Sequence, residues 1–162
     1  MPQPITAARL QDVVLTLFAQ VPGSGLQNIQ TAGNRLCFVD NAYSPVSFAE
    51  VDRVVRSNPL LVPPSGGADE LSDCDDYALQ VKSILTTLKR QQNVGAAEPD
   101  APPAIGIIIS EIHAVSGFVS AGNAGLKLAL IDASRPDRPV VDAPDQVADL
   151  LLGRPGIRLV YF

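Results

Sequence analysis

The sequence has no tryptophan, one histidine and two cysteines, and aromatic residues make up 5% of it. Each scarcity excludes something. Without Trp, and without any internal repeat, architectures built on recurring Trp motifs are ruled out. Two cysteines cannot build a disulfide framework, and a single histidine gives any imidazole chemistry one address, His113. Basic runs are also missing: 12 Lys and Arg stand against 17 Asp and Glu, a net charge of −5. No cluster is fit to track a phosphate backbone, so nucleic acid is not an expected partner. Long apolar runs are absent too. The opening segment from Ile5 to Val21 is interrupted by Arg9, Gln11, Asp12 and Gln20, so it reads as an amphipathic helix and as neither a signal peptide nor a membrane span. No membrane partner is expected, and the chain is expected in the cytoplasm or exported by a non-standard route.

What remains is globular. At 162 residues, 46% hydrophobic and 18% charged, the chain is long enough to bury a core and reads as one domain over residues 1–162. In the first helix Leu10, Val13, Val14, Leu17 and Phe18 share a face, and Pro22-Gly23-Ser24-Gly25 ends it. The run Arg35-Leu36-Cys37-Phe38-Val39 is strand-like, and Cys37 within it reads as a small buried hydrophobe. Ser47 with Glu50 has capping-box spacing ahead of Phe48, Val51, Val54 and Val55, and Asn58-Pro59 stops that second helix. Pro63 to Gly67 is a breaker-rich connection, and Asn93 to Pro103 an exposed loop.

From Ala104 the pattern turns to strands: Ile105–Ile109, Ile112–Val119, Leu126–Ile131 and finally Ile157–Phe162, with a short helix from Asp142 through Leu152 before the last. Helices first and strands second predict an α+β fold, with the N-terminal helices packed on an antiparallel sheet.

The chemistry gathers at Leu71-Ser72-Asp73-Cys74-Asp75-Asp76-Tyr77-Ala78. Cys74, Tyr77, Ala78, Val81, Leu85 and Leu88 recur every three or four residues, so a central helix runs to about Gln92 with the thiol at the start of its buried face. Ser72 or Asp73 caps it. A helix N-terminus offers unpaired N–H groups and about half a positive charge, which favours a thiolate. If the later hairpin turns at Gly122-Asn123, His113 and Asp132 fall directly opposite one another. The acid can then hold one imidazole nitrogen while the other faces the thiol. The same strand face carries Val115, Val119, Leu126, Leu128 and Leu130, expected to meet the Cys74 helix. The bland readings stand alongside: a half-buried hydrogen-bonded histidine, and an Asp that opens a turn before Ser134-Arg135-Pro136. Thiol, histidine and acid in that order point to the Cys-His-acid chemistry of papain-like enzymes.

The segments Asp73-Cys74-Asp75-Asp76-Tyr77-Ala78, His113-Ala114-Val115-Ser116-Gly117-Phe118-Val119 and Leu130-Ile131-Asp132-Ala133 resemble the papain-like C-terminal domain of fungal agglutinins of the Marasmius oreades type. They are similar, more loosely, to bacterial transglutaminase-like cysteine proteinases. The resemblance is strongest over residues 40–162. It implies a papain-like fold and a calcium-dependent cysteine peptidase that also dimerises, with Cys74 as nucleophile, His113 as general base and Asp132 as orienting acid. The chain departs from that pattern in four ways. Asp132 replaces a Glu, Ser116 stands where Asn is common, and Ala68 occupies the place of papain's oxyanion Gln. No lectin segment precedes the domain, so carbohydrate targeting is not expected.

Asp73, Asp75 and Asp76 oppose ionisation of the neighbouring thiol. They either cap the helix or hold a hard cation that cancels the repulsion, and flexible oxygen ligands suit Ca²⁺. The resemblance implies calcium; spacing does not fix its ligands, and Asp75 and Asp76 are the chosen pair, with Asp69 and Glu70 as neighbouring candidates. The resulting expectation is a peptidase or amidase that acts on a peptide or protein through a thioester. The alternatives are a transglutaminase-like acyl transferase and a non-catalytic interaction or dimerisation module, a homodimer in that case.

Overall fold

A computed structural model of the chain describes residues 3–20, 36–61, 74–92, 101–110, 113–123, 125–132, 137, 140–142, 146 and 157–162. Several expectations lie outside these residues: the breaker run at 22–25, the linker at 63–67, the cap at Ser72 or Asp73, the neighbours Ala68, Asp69 and Glu70, most of the loop at 93–103, and nearly all of the helix at 142–152. The first helix, expected from Ile5, begins at Ala7, because Ile5–Thr6 pair as a strand.

The described elements run β1 (Ile5–Thr6), α1 (Ala7–Gln20), β2 (Leu36–Cys37), β3 (Ala42–Tyr43), α2 (Phe48–Ser57), α3 (Cys74–Gln92), β4 (Ile105–Ser110), β5 (Ala114–Gly122), β6 (Gly125–Ile131), β7 (Val140–Val141) and β8 (Ile157–Tyr161). The fold is α+β. Strands β1 and β3 form a small antiparallel pair, and the main sheet has the order β2-β8-β4-β5-β6-β7. Its pairings are antiparallel except at one edge, where β2 runs parallel to β8. The expected antiparallel sheet is therefore mixed, because β2 is laid down before the hairpins and meets β8 only after a long crossover.

Helices cover both faces of this sheet. The expected stripe of α1 is buried whole, Leu10, Val14 and Phe18 completely so, against Ile108, Val115, Val119, Leu128, Leu130 and Val160. Each such side chain contributes about 1.5–3 kcal/mol relative to leaving it exposed. On the opposite face α2 and α3 pack together through Val51, Val54, Val55, Tyr77, Val81 and Leu85 onto Ile105, Phe118, Ala129 and Ile131. This arrangement corrects one expectation. Val115, Val119, Leu128 and Leu130 meet α1, whereas α3 meets the alternate residues Ala114, Ser116 and Phe118. Because side chains alternate strictly along a strand, choosing the wrong helix partner exchanges the whole set.

Local chemistry sets the ends of α2. The Ser47 side chain accepts from the Glu50 N–H, and the Asn58 N–H closes the last turn on Val54. Buried on both faces, β4 reads as an unbroken apolar run rather than an alternating one. At Gly106 a Cβ would lie 2.4 Å from the Tyr161 carbonyl oxygen, so glycine is what lets β8 approach. Cys37, on the edge strand β2, is half-buried and not fully buried as expected. Among the described residues no helix is long and apolar enough to cross a membrane.

Candidate active site

Helix α3 begins at Cys74 and ends at Gln92, with Asp75 and Asp76 in its first turn and Lys89 and Arg90 in its last, as its dipole favours. Tyr77, Ala78, Val81 and Leu85 are buried, while Cys74 at the head of the stripe is half-buried. The thiol packs beside Ala78, Ile107 and Ala114, with Ile109 and Tyr161 at the same cluster. Its sulfur accepts the backbone N–H of Ala114 at 3.1 Å. The helix stripe thus delivers the thiol to the residue that follows His113.

His113 sits in the turn between β4 and β5, just outside both strands. Ser110 fixes it there. The Ser110 N–H donates to the His113 carbonyl at 2.8 Å, the Ser110 hydroxyl reaches the same oxygen at 3.0 Å, and the His113 N–H points back to that hydroxyl at 3.1 Å. On the ring, Nε2 lies 2.9 Å from Oδ2 of Asp132. Both side chains are secluded, 9% and 2% exposed, so water competes little for the contact.

The register that brings them together differs from the expected one. Gly122 pairs with Gly125, leaving Asn123-Ala124 as the two-residue loop, and Ser116 pairs with Ile131. Gly125, at φ +103°, takes the positive dihedral that closing this hairpin requires. The shift is two positions, an even step, so it preserves side-chain parity and turns directly opposed residues into diagonal ones. Both residues also lie beyond the strand ends, where strict alternation no longer dictates direction. The pair forms even though the expected turn centre and facing helix do not.

The contact carries a chemical implication. Where the Asp132 carboxylate is ionised and the ring neutral, the carboxylate only accepts, Nε2 holds the proton and Nδ1 presents a lone pair. Ser116, at the position where Asn is common in the resembled family, is engaged with the helix: its hydroxyl donates to the Ala78 carbonyl at 3.0 Å and is wholly buried. It ties β5 to α3. Sequence reasoning missed three participants, Ser110, the Ala114 amide and this use of Ser116. The only available signal was a serine three residues before the histidine across a short turn, and backbone donors leave no signal at all.

Two turns along α3, Lys82 donates to the Ile105 carbonyl and lies 5.3 Å from the centre of the Tyr161 ring. Burial pulls its pKa below the ordinary lysine value, with the Asp40 charge opposing the shift.

Calcium takes six to eight oxygen ligands. Among the described residues no group of three or more His, Cys, Asp or Glu side chains converges as a metal site. Asp75 and Asp76 have the right donor chemistry, but the described residues do not by themselves fit the ion. Asp69, Glu70 and Asp73 lie outside them.

No family model matches the chain, and no curated protein matches it. Among solved structures it is similar to the lectin of Polyporus squamosus, solved bound to the human-type influenza-binding epitope Neu5Aca2-6Galb1-4GlcNAc. The TM-score is 0.63 at 14% sequence identity, over 98% of this chain and 49% of that one. The chain spans about half the length of that lectin, and the likeness is one of fold.

Proposed function

We propose that this chain is a papain-like cysteine peptidase or amidase whose nucleophile is Cys74, whose general base is His113 and whose orienting acid is Asp132. One observation carries the reading. The buried His113–Asp132 contact at 2.9 Å leaves Nδ1 as the basic nitrogen, and the thiol is seated on the amide of the very next residue.

In the reaction, the Cys74 thiol gives its proton to His113 Nδ1 and the sulfur attacks the acyl carbon of the substrate. The developing oxyanion lies at the N-terminal turn of α3, where the helix dipole favours negative charge. The imidazolium then returns the proton to the departing amine as the C–N bond breaks, leaving a thioester. Water, losing a proton to the same nitrogen, adds to the thioester; the C–S bond breaks, the imidazolium returns that proton to the Cys74 sulfur and a carboxylic acid leaves. An amine in place of water gives acyl transfer by the same steps. Asp132 keeps the ring in one tautomer and stabilises the imidazolium throughout.

Mass spectrometry after exposure to an activated acyl ester tests this. The expected adduct is on Cys74, in preference to Cys37, and it diminishes in His113→Ala. An adduct spread evenly over both cysteines, or indifferent to His113, would sink the assignment.

Calcium dependence is a separate part of the proposal, with Asp75 and Asp76 as two ligands and oxygens outside the described residues needed to complete the shell. No step above runs through it.

A second reading, a non-catalytic interaction or dimerisation module, draws support from the half-length likeness to a lectin solved with a sialylated sugar. Calorimetry with that trisaccharide separates the two. Sugar binding that survives Cys74→Ala, together with no acyl adduct on the parent chain, favours the module.

A further inference from the structure

The Ser110 hydroxyl does something a hairpin does not ordinarily require. At the end of an antiparallel pair the two residues exchange backbone bonds, and one of these is present, from the Ser110 N–H to the His113 carbonyl. The return bond is not made to a carbonyl. The His113 N–H instead meets the Ser110 hydroxyl at 3.1 Å, and that hydroxyl is 3.0 Å from the His113 carbonyl. One side-chain oxygen therefore holds both polar groups of the His113 backbone. Ser110 itself is 4% exposed, so water does not substitute for it.

The backbone on either side shows why this matters. The β4–β8 register shifts between Ile109 and Ser110, pairing Ile109 with Leu159 and Ser110 with Ile157, and an irregularity of this kind re-aims the residues beyond it. Past the turn, the peptide joining His113 to Ala114 carries two functional groups at once: the imidazole bound to Asp132, and the N–H bound to the Cys74 sulfur. Whatever holds that peptide sets the thiol and the imidazole relative to each other.

We infer that Ser110 is a positioning residue of the reactive site, its hydroxyl clamping the His113 backbone so that base and thiol are presented together. The inference rests on the reading of Cys74 and His113 as the reactive pair. It does not require turnover. The contacts that carry the inference run from the Ser110 hydroxyl to the main chain of His113.

The test compares Ser110→Thr, which keeps the hydroxyl, with Ser110→Val, which has the same shape without it. Two readouts apply to each folded variant. Since His113 is the only histidine, its Nε2–H gives one imidazole NMR resonance, which the Asp132 bond holds downfield. The second readout is the rate of Cys74 alkylation by iodoacetamide at a fixed neutral pH. Thr is expected to preserve both. Val is expected to shift or broaden the resonance and to slow alkylation about tenfold, the size of one lost hydrogen bond. Equal behaviour of the two variants overturns the inference, as does loss of both readouts in Thr.

If Val does not fold, amide hydrogen exchange of the parent chain decides. Protection at His113 and Ala114 matching the middle of β5 supports the clamp, and exchange at the rate of a frayed strand end overturns it. A parent chain that shows these Ser110-dependent signals yet forms no acyl adduct refutes the catalytic proposal while leaving the positioning role intact.

Discussion

The hydroxyl of Ser116 donates to the carbonyl of Ala78 at 3.0 Å, joining the strand that follows the histidine to the helix that bears the thiol. Both residues are buried, so the bond is shielded from water. It is a strut between the two elements that carry the proposed reactive pair. Ser116→Ala is expected to cost about 0.5–1.5 kcal/mol of stability, the usual net worth of a buried hydrogen bond. Urea unfolding measures the cost, and a variant as stable as the parent would show that the strut bears no strain.

Asp132→Asn should leave the fold standing and depress acylation by orders of magnitude. An amide can still touch Nε2, but it does not stabilise an imidazolium and it offers the ring the wrong tautomer. Single-turnover acylation of Cys74 is the measurement, with circular dichroism confirming the fold. Full acylation in the variant would remove Asp132 from the mechanism.

Lys82 predicts a stability change with pH. Its folded pKa lies below the ordinary lysine value of 10.5, because burial disfavours the ammonium. Between the two values the unfolded chain binds more protons than the folded one, so rising pH through that window stabilises the fold. Below the folded pKa the penalty is present in full. Compared with Lys82→Met, the parent is therefore expected to gain stability as pH climbs toward 10.5. Parallel denaturation curves at neutral and alkaline pH reveal the gain, and a pH-independent difference would contradict it.

Calcium at millimolar concentration is expected to raise the melting temperature, because an ion that binds only the folded chain stabilises it in proportion to its saturation. Asp75→Asn combined with Asp76→Asn should abolish the response without unfolding the protein. No shift in the parent would leave these residues as partners of the helix dipole.

Helical features were legible because their period is enforced by the backbone. Leu10, Val14 and Phe18, or Tyr77, Val81 and Leu85, are buried where their spacing puts them. The Ser47 cap was legible for the same local reason. Hairpin register was not, because Ala121 to Gly125 is compatible with several loops. Nor does alternation along β5 say which helix covers which face. Val115 and Phe118 are both apolar and both buried, and the choice between α1 and α3 is a tertiary one. The three site residues were singled out for their chemistry and order. Their supports were not, since Ser110 and Ser116 act through carbonyls and amides that every sequence possesses.

The position of β8 between β2 and β4 has a consequence for how the protein is made. Synthesis proceeds from Cys74 toward Ile157, so the thiol-bearing helix emerges long before the strand that pairs with β4 and completes the middle of the sheet. Pairings this distant in sequence form slowly. Throughout that interval β4, the strand before the His113 turn, lacks one of its two partners, and Tyr161 of β8 is missing from the cluster around Cys74. On the proposed assignment, the arrangement of Cys74 and His113 is thus a late product of folding, complete only once β8 has paired with β4.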